Sequence, residues 1–521
     1  MDTKALRQKI LDLAIRGKLV PQDPNDEPAE VLLERIREQK QQMFKEGKLK
    51  KKDIKNDTII FKGEDNLHYE KFSNGSVKCI EDEIPFELPD GWAWARLSSI
   101  ADMALGKMLD VAKNKGSLRP YLRNINVRWG TFDLSDTLEM RFEDNELERY
   151  SICYGDLVMC EGGEPGRCAV WKSEEVVFYQ KALHRVRAIE ILPEYLYYVI
   201  RRFIISNQYE KYYTGTTIKH LTGQSLRMLP IPLPPLNEQK LIVEHLQRII
   251  EEIDKIEMRK TEAFSLVSLA KSKILDLAIR GKLVPQDSND EPASVLLERI
   301  RAEKEELIRQ GKIKRDKKES VIFRGEDNSY YVRQDTHTES IDEQFIFELP
   351  DNWEWCSLLN IAKIELGKTL DSAKNIGTNY PYLRSVNVRW NEVDLSDLKE
   401  MRFEPEELDR YTVRRNDLLI CEGGDVGRSC VWTDEKEILY QNALHRVRFY
   451  GGCNPFYFMY YMMYYESRGI IKALCKGVTI KHLTGNVLSL IPFALPPIEE
   501  QGRIVERLNR IFVLLNSIIC D

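Results

Sequence analysis

One stretch of the chain, KILDLAIRGKLVPQD, occurs twice without a change, at Lys9–Asp23 and again at Lys273–Asp287. The residues that lead into the central copy, from Asn237 onward, are matched instead by the last residues, Glu499–Asp521. A unit that is intact in the middle and divided over both termini is a circularly permuted tandem repeat. We therefore expect two similar halves related by a pseudo-twofold axis, with Met1 and Asp521 close together.

The central stretch Asn237–Gly281 has the apolar pattern of a long packed helix. Its apolar residues recur at alternating steps of four and three, with one charged interruption, at Ile242, Leu246, Ile249, Ile253, Ile256, Ala263, Val267, Ala270, Ile274 and Leu277. This spacing predicts a coiled-coil helix with Asn237 as its N-cap and Gly281 just past its end. The two chain ends repeat the pattern and would supply an antiparallel partner; a surface helix on an ordinary core is the alternative.

Composition limits the class of protein. A chain of 521 residues exceeds one core, and 43% hydrophobic with 31% charged residues is typical of a soluble globular protein. Its apolar runs are shorter than a membrane span and its first residues lack a signal peptide's apolar region, so we expect a cytoplasmic protein. The cysteines stand singly, which indicates reduced thiols. A net charge of −6 argues against indiscriminate coating of nucleic acid but permits a focused basic cleft.

The sequence divides into five segments. FELPDGWAW and FELPDNWEW open two similar stretches, and PLPP-like runs close them, which gives two globular domains at 86–236 and 347–498. Short alternating apolar runs with Gly, Asn and Asp between them predict a mixed α/β fold in both. The rest is helical: N-terminal helices with a basic arm at 1–85, a central spacer with a second arm at 237–346, and a last helix at 499–521. Each arm is either a solvated hairpin or a phosphate-contacting segment.

The chain resembles the specificity subunit of type I restriction-modification systems over essentially its whole length. The resemblance is carried by GTTIKHLTGQSLRMLPIPLPPLNEQKLIVEHL at Gly215–Leu246, by GVTIKHLTGNVLSLIPFALPPIEEQGRIVERL at Gly477–Leu508, and by the openings LPDGWAW and LPDNWEW. It implies two target recognition domains separated by two long antiparallel helices. Each domain would read one half of a bipartite DNA target, and the helices would set the gap between the halves.

The same resemblance implies the partners. Two modification subunits would bind S-adenosylmethionine and methylate adenine, and restriction subunits would use ATP and Mg²⁺ and cleave unmodified double-stranded DNA. This chain would bind no cofactor or metal and no membrane. Two alternatives stay open: a related system with modification and cleavage in one partner polypeptide, and a scaffold whose repeated domains bind protein.

Catalytic motifs are absent from the sequence. Its nearest approach to the [DNS]-P-P-[FYW] motif of amino-methyltransferases is Asn454-Pro455-Phe456, which lacks the second proline. It has no phosphate-binding loop of the form G-x-x-x-x-G-K-[ST]. The Glu161–Glu164 loop with Arg167 and His184 could suggest acid–base chemistry, but the second copy would then be a second active site without a cofactor motif. The sequence therefore predicts a non-catalytic chain.

Side chains suited to base edges and phosphates recur in both domains. In the first domain these candidate DNA contacts are Lys107, Arg119, Arg123, Asn124, Asn126, Arg128, Glu161, Arg167, Tyr179, Gln180, Lys181, His184, Arg185, Lys219, His220 and Thr222. In the second they are Lys368, Arg384, Ser385, Asn387, Arg389, Glu422, Arg428, Tyr440, Gln441, Asn442, His445, Arg446, Lys481, His482 and Thr484. For any one of them a surface or core-edge role is the alternative, and His184 and His445 could be buried and hydrogen-bonded.

The two domains are so alike that a symmetric target is expected. Equivalent domains related by a twofold axis read equivalent half-sites on opposite strands. We therefore predict an interrupted, nearly palindromic sequence. The domains differ at Asn124/Ser385, Glu164/Asp425, Pro165/Val426 and Lys181/Asn442, and one of these differences could break the symmetry at a single base.

Overall fold

A computed structural model describes residues 2–55, 57–215, 219–315, 320–334, 337–341, 347–371, 373, 375–475 and 482–520. The chain forms two compact units, Met1–Arg259 and Lys260–Asp521. The helices are α1 (Thr3–Ile15), α2 (Ala29–Lys45), α3 (Lys51–Ile54), α4 (Leu97–Ile100), α5 (Pro193–Ile205), α6 (Gly223–Arg227), α7 (Leu236–Ile279), α8 (Ala293–Arg309), α9 (Leu358–Ile361), α10 (Pro405–Tyr411), α11 (Pro455–Ser467), α12 (Ile470–Leu474), α13 (Gly485–Leu490) and α14 (Ile498–Cys520).

Unit 1 contains fifteen strands: β1 (Ile59–Lys62), β2 (His68–Lys71), β3 (Val77–Cys79), β4 (Ala93–Arg96), β5 (Ala101–Leu105), β6 (Ser117–Leu122), β7 (Val127–Arg128), β8 (Thr131–Phe132), β9 (Leu138–Phe142), β10 (Ser151–Ile152), β11 (Leu157–Cys160), β12 (Cys168–Val170), β13 (Val177–Tyr179), β14 (Leu183–Ala188) and β15 (Pro230–Leu233). They form an inner sheet, β12-β11-β14-β5, an outer sheet, β10-β13-β6-β9, an arm sheet, β1-β2-β3, and the pairs β4-β15 and β7-β8.

Unit 2 repeats this order. Its strands are β16 (Ser320–Arg324), β17 (Tyr330–Gln334), β18 (His337–Ser340), β19 (Glu354–Ser357), β20 (Ala362–Leu366), β21 (Thr378–Leu383), β22 (Val388–Arg389), β23 (Glu392–Val393), β24 (Lys399–Phe403), β25 (Thr412–Val413), β26 (Leu418–Cys421), β27 (Ser429–Val431), β28 (Ile438–Tyr440), β29 (Leu444–Phe449) and β30 (Pro492–Leu495). The inner sheet is β20-β29-β26-β27, the outer sheet is β24-β21-β28-β25, and the arm sheet is β16-β17-β18. The mixed α/β class is confirmed.

The alternation of side chains along β11 explains how the layers stack. Leu157 and Met159 face a core formed with α1, α2, α5 and the start of α7, whereas Val158 and Cys160 face a second core shared with the outer sheet. Both faces of the strand are therefore buried, as a period of two requires between two layers. The same division holds for β26 in unit 2. Each unit is a stack of helices, inner sheet and outer sheet.

A buried polar junction fixes the start of α7 to the rest of unit 1. Glu238 is 2% exposed, and its carboxylate accepts a hydrogen bond from Trp92 Nε1 at 2.8 Å and one from Gln22 Nε2 at 3.2 Å. The neighbouring Gln239 accepts from the Leu192 amide at 3.1 Å and donates to the Pro234 carbonyl at 3.0 Å. These bonds join the repeated VPQD loop, the opening tryptophan, α5 and the PLPP run.

Unit 2 contains the same junction. Glu500 accepts from Trp353 Nε1 at 2.9 Å and from Gln286 Nε2 at 2.6 Å. Gln501 accepts from the Asn454 amide at 2.8 Å and donates to the Pro496 carbonyl at 2.9 Å. The repeated VPQD loop, the opening tryptophan and the Glu-Gln pair after the prolines therefore meet at one buried point in each unit.

The predicted long helix is present as α7, which has 44 residues. In unit 1 it runs antiparallel to α1, because Arg7 contacts Glu257 at 2.9 Å while Leu11 lines the same groove as Ile250. In unit 2 Lys271 of α7 donates to Asn516 of α14 at 2.6 Å. The burial of the heptad positions is uneven, since Ile256 is 38% exposed and Ile518 60% exposed. The pairing of the two terminal helices with each other stays a prediction.

The predicted N-cap at Asn237 is wrong. Helix α7 begins one residue earlier, at Leu236, and the side-chain amide of Asn237 donates to Asp26 at 2.8 Å. The predicted end is confirmed, because Gly281 has φ +66° and follows Ile279 and Arg280, as a left-handed residue past a helix end should. None of the described helices has the length and apolar content of a membrane span. Nine cysteines in the described ranges are free thiols.

The junction predicts unequal effects of two similar substitutions. Trp92→Phe leaves the buried Glu238 carboxylate without one donor and should lower the free energy of unfolding by about 1–3 kcal/mol more than Trp94→Phe does. Trp94 is the matched control, because its indole is also buried and its Nε1 has no hydrogen-bond partner among the described residues. Urea unfolding of the two variants measures the difference. Equal losses would mean that the Trp92–Glu238 bond contributes nothing.

Candidate nucleic-acid interface

Five segments of unit 1 are joined edge to edge by main-chain hydrogen bonds. The Gln180 amide donates to the Leu122 carbonyl at 3.1 Å, and the Lys181 amide donates to the Lys107 carbonyl at 2.8 Å. The Glu161 amide donates to the Ala182 carbonyl at 3.0 Å, and the Leu221 amide donates back to the Glu161 carbonyl at 2.8 Å. We call residues 106–108, 122–126, 160–167, 180–182 and 219–222 the first loop cluster.

Unit 2 has a second loop cluster, at residues 367–369, 383–387, 421–428, 441–443 and 482–484. Its bonds are the same: Gln441 to Leu383 at 3.0 Å, Asn442 to Lys368 at 2.7 Å, Glu422 to Ala443 at 2.9 Å and Leu483 to Glu422 at 2.9 Å, in each case amide to carbonyl. Lys481, a predicted contact, lies outside the described residues. Most of the other residues predicted from sequence lie in or beside one of the two clusters.

The glycine-rich loop at 160–167 is the tight loop that the sequence predicts. Gly163 and Gly166 have φ of +79° and +89°, and a Cβ on Gly166 would lie 2.5 Å from Ile204 Cδ1. The loop is attached to the 122–126 turn, because Arg167 donates to the Asn124 carbonyl at 2.9 Å. Arg167 also pairs with Glu164 of its own loop. Its equivalent, Arg428, donates to the Ser385 carbonyl at 2.9 Å. Arg167 and Arg428 therefore help to position the 122–126 and 383–387 turns, in which residue 124 is Asn and its counterpart 385 is Ser.

Several predicted contacts are used inside the protein. Asn126 is 2% exposed, and its side chain accepts from the Arg123 amide at 2.9 Å and donates to the Asp133 and Asp136 carbonyls. Arg123 in turn donates to Asp136 Oδ2 at 2.7 Å. The second unit has the same bonds at Asn387 and Arg384. These four residues build the 122–126 and 383–387 turns and leave little surface for a base edge.

Other predicted residues are buried in the sheets. Arg185 pairs with Asp102 at 2.6 Å, Lys107 pairs with Glu146 at 2.5 Å, and the Tyr179 hydroxyl donates to the Ala104 carbonyl at 3.2 Å. Their equivalents Arg446, Lys368 and Tyr440 are bound in the same way, to Glu365, Glu407 and the Glu365 carbonyl. Arg119 lies half-buried on β6, 5.6 Å from the Phe178 ring, and Tyr380 takes its place in unit 2. These buried groups therefore support the loop clusters from the protein interior.

His184 and His445, two of the four predicted histidines, are hydrogen-bonded inside the protein. His184 is 2% exposed, and its Nε2 lies 2.9 Å from the Leu221 carbonyl, which fixes the 219–222 segment to β14. Burial lowers the pKa of His184 to about 4, because the charged imidazolium loses its hydration. The pKa of His445 is lowered for the same reason, and His445 bonds to Leu483 in the same geometry at 2.8 Å.

A smaller set of predicted residues faces outward. Arg128 has a side chain 47% exposed and touches Asp133 only at 3.4 Å, and Arg389 is also exposed. Lys181 and His220 are exposed in the first cluster, and His482 in the second. Asn442, the counterpart of Lys181, is half-buried and donates to Thr369 Oγ1 at 3.4 Å. The remaining outer or half-buried positions are Asn124, Glu161, Gln180, Lys219, Thr222, Ser385, Glu422, Gln441 and Thr484.

The sequence reasoning missed exposed apolar side chains in the clusters. Ile125 is 46% exposed and Val386 is 51% exposed, at the centres of the two turns whose last residues, Asn126 and Asn387, are buried. Met108 in the first loop cluster is 56% exposed, and Leu370, directly after the 367–369 segment of the second, is also 56% exposed. An apolar residue between two small polar residues in a turn is a usable signal, since apolar side chains on DNA-reading loops contact thymine methyl groups or unstack base steps.

The clusters contain no group of metal ligands in the described ranges. One such group of three or more exists elsewhere, in the first arm, formed by His68, Glu81 and Glu87. Its members are already paired, because Glu81 lies 2.7 Å from His68 Nδ1 and Glu87 accepts from Lys62 at 2.9 Å. The clusters can therefore offer hydrogen bonds, positive charge and apolar contact.

Comparisons with known proteins show which family the chain is similar to. A family model described as the type I restriction modification DNA specificity domain matches residues 89–263 and 350–519. The EcoAI specificity subunit of Escherichia coli is 26% identical over 99% of this chain and 90% of its own, and the EcoEI specificity subunit of the same species is 26% identical over 99% and 89%. A chain from a solved structure on the assembly and conformational transition of the type I R-M system covers 83% of this chain and 93% of its own, with 19% identity and a TM-score of 0.53. The solved structure shares the fold.

The buried histidine gives a pH prediction. Because the pKa of His184 is lowered by folding, its contribution to stability is complete above the unfolded value near 6.5 and is lost as the pH falls toward 4. His184→Gln should reduce the fall in unfolding free energy between pH 7 and pH 4, by up to about 3 kcal/mol. His220→Gln is the control, since that ring is exposed. If the two variants show the same pH dependence in urea unfolding, His184 does not titrate as proposed.

Proposed function

The chain belongs to the family of type I restriction-modification DNA specificity proteins, and from this we propose that it is the sequence-recognition subunit of such a system. Each unit would read one half of a bipartite double-stranded DNA target with its loop cluster. The five-segment division is part of this proposal, with 86–236 and 347–498 as the target recognition domains and α1, α7 and α14 as the spacer that sets the gap. We expect the complex to act in the cytoplasm, where its DNA lies.

The observation that carries the proposal is that the same loop cluster is built twice. In both units a buried asparagine and a paired arginine fix a turn, a second arginine holds the glycine-rich loop against that turn, and a buried histidine fixes a third segment. Such fixed polar scaffolding costs little further ordering when DNA binds. It presents a short row of outward side chains at set positions, which is what sequence reading requires.

We propose different roles for the outward residues. Arg128 and Arg389 are the candidates for the O6/N7 edge of guanine, because their guanidinium groups are exposed. Ile125 and Val386 supply apolar contact beside them. Asn124 suits the N6/N7 edge of adenine, whereas Ser385 at the same place reads less selectively. The side-chain oxygen of Gln441 is buried without a partner among the described residues, and a donor from the DNA would satisfy it.

The partners follow from the same proposal. Two modification subunits that bind S-adenosylmethionine, and restriction subunits that use ATP and Mg²⁺, would carry out methylation and cleavage, and this chain would catalyse nothing. A system with modification and cleavage fused in one partner is the first alternative, and the neighbouring genes distinguish it. A protein scaffold is the second. A gel shift in which the assembled complex binds DNA without sequence preference would favour the scaffold.

The similarity of the two clusters predicts an interrupted, nearly palindromic target. Methylome sequencing of cells that express this chain with its modification subunit should find methylated adenine in two half-sites that are inverted copies of each other. We expect any break in symmetry at the base nearest the 124/385 pair. Two unrelated half-sites would contradict the prediction.

The exchange of Lys181 for Asn442 predicts that the two loop clusters differ in the salt dependence of DNA binding. Lys181 is exposed, whereas Asn442 at the same place is uncharged and tied to Thr369. If Lys181 contacts a phosphate, Lys181→Asn should reduce the magnitude of the negative slope of log affinity against log salt by about 0.9, and Asn442→Lys should increase that magnitude by about 0.9. Neither change should alter the methylated sequence.

The control for this experiment is Lys172→Asn, which removes a lysine whose side chain is 60% exposed and which lies outside the loop cluster. Its salt slope should equal that of the unaltered complex. An unchanged slope for Lys181→Asn would show that this lysine does not contact the backbone. A changed target sequence would show that it reads a base.

A further inference from the structure

One turn of the loop clusters has different backbone conformations in the two units. It connects β13 to β14 as QKAL at Gln180–Leu183, and it connects β28 to β29 as QNAL at Gln441–Leu444. In both units the amide of the fourth residue donates to the carbonyl of the first, at 3.0 Å in unit 1 and 3.2 Å in unit 2. Both segments are therefore closed β-turns, and they differ in sequence at one position, Lys181 against Asn442.

The third residue of each turn shows the difference in conformation. Ala443 has φ +88°, whereas the φ of Ala182 is not positive. In a turn closed by this hydrogen bond, a positive φ at the third residue is that of a type II turn, which usually has glycine there, and a negative φ is that of a type I turn. An alanine is strained at positive φ because its Cβ comes too close to the backbone. The first turn is therefore relaxed and the second is strained.

The Asn442 side chain holds the second turn in its strained form. Its Oδ1 accepts a hydrogen bond from the Ala443 amide at 2.5 Å, and its Nδ2 donates to Thr369 Oγ1 at 3.4 Å. Unit 1 has Lys181 and Met108 at the places of Asn442 and Thr369. A lysine has no acceptor for a neighbouring amide, and a methionine has no hydroxyl. The pair of side chains that supports the strained turn is therefore found in unit 2 and is replaced in unit 1.

The second turn can change to the form of the first without loss of a main-chain hydrogen bond. Type I and type II turns differ by a rotation of the central peptide group, which here consists of the Asn442 carbonyl and the Ala443 amide. The main-chain bonds that hold this segment in the second loop cluster use other groups, namely the Gln441 amide and carbonyl, the Asn442 amide and the Ala443 carbonyl. Among the bonds of the described residues, the rotation breaks the one from Ala443 to Asn442 Oδ1.

The second turn has a further unfavourable feature. The side-chain oxygen of Gln441 is buried and has no hydrogen-bond partner among the described residues, whereas the corresponding oxygen of Gln180 is accessible or bonded. A buried acceptor without a donor destabilises the conformation that contains it. The second turn therefore combines backbone strain with an unpaired oxygen at a place where the first turn has neither.

We propose that DNA binding rotates the Asn442–Ala443 peptide, so that the second turn takes the type I form of the first. This rests on the proposed function, in which two like loop clusters present like surfaces to two like half-sites. The rotation relieves the strain at Ala443 and releases its amide from the Asn442 side chain. A phosphate oxygen is a suitable new acceptor, because backbone amides commonly donate to phosphates. Asn442 is thus a positioning residue that keeps the free second cluster out of its reading form, whereas the first cluster is already in that form.

The first part of the test measures the strain without DNA. Ala443→Gly removes the Cβ that opposes a positive φ, and Ala182→Gly makes the same substitution where φ is not positive. In urea unfolding of the full chain, Ala443→Gly should raise the midpoint. Ala182→Gly should lower it, because glycine there only adds freedom to the unfolded chain. A midpoint that does not rise for Ala443→Gly would mean that the second turn is unstrained and would overturn the proposal.

The second part measures the affinity of the complex assembled with modification subunits for a duplex that carries the target found by methylome sequencing. Ala443→Gly stabilises the free form of the turn and should weaken binding about fivefold relative to Ala182→Gly. Asn442→Ala removes the acceptor that holds the free form and should tighten binding about threefold. Damage to the fold would weaken binding in both variants, so the opposite signs distinguish a rotation of the turn from a general loss of structure.

The remaining outcomes contradict the proposal. Equal affinities of the Ala443→Gly and Ala182→Gly complexes would show that the turn stays in its type II form on DNA. Weaker binding by Asn442→Ala would make this asparagine a direct DNA contact instead of a positioning residue. An unaltered complex that binds DNA without sequence preference would contradict the proposed function, and the urea measurement on Ala443→Gly would still report the strain by itself.

Discussion

The buried Trp–Glu–Gln junction is the interaction on which both units depend. A carboxylate that is 2% exposed in unit 1 and 1% exposed in unit 2 must have its donors, because a buried acceptor without them destabilises the fold. Burial raises the pKa of both Glu238 and Glu500, and the tryptophan and glutamine bonds oppose that rise. The junction therefore couples the direction of α7 or α14 to the domain that follows FELPD. A spacer helix can orient a recognition domain only through such a rigid attachment.

A second polar layer transmits that rigidity to the surface. The bonds of Asn126, Arg167 and His184 each tie one cluster segment to the sheet or turn next to it. These three side chains are used in bonds within the protein, and those bonds fix the positions of the neighbouring Asn124, Ile125 and His220. The polar residues in the clusters therefore divide into those that hold and those that face out. The same division in unit 2 shows that it belongs to the fold and not to one copy.

Sequence alone predicted the architecture better than the site. Periodicity, the exact repeat and the glycine pattern located α7, its end at Gly281 and the tight glycine loops, because these depend on local spacing. The N-cap was missed because Leu236 already continues the helix after the prolines and Asn237 bonds to Asp26, which is far away in sequence. The roles of Asn126, Arg185 and His184 could not be predicted for the same reason. Their partners, Asp136, Asp102 and Leu221, are brought near only by the fold, and sequence spacing gives no sign of which side of a turn faces outward.

The buried residues of the two units differ at equivalent positions. Unit 1 buries Arg96 completely, with Glu70 and Glu83 at 2.7 and 2.8 Å, whereas unit 2 has Ser357 and Val332 at the equivalent positions of β19 and β17. A buried ion pair cannot lose one partner without a large penalty, so arginine and glutamate must have been exchanged together. Copies that have tolerated such a coupled change in the core nevertheless retain Arg128/Arg389, Gln180/Gln441 and the paired turns at their surfaces. Because Arg128 and Arg389 are exposed, packing within the units does not account for their retention, which fits the DNA-reading role proposed above.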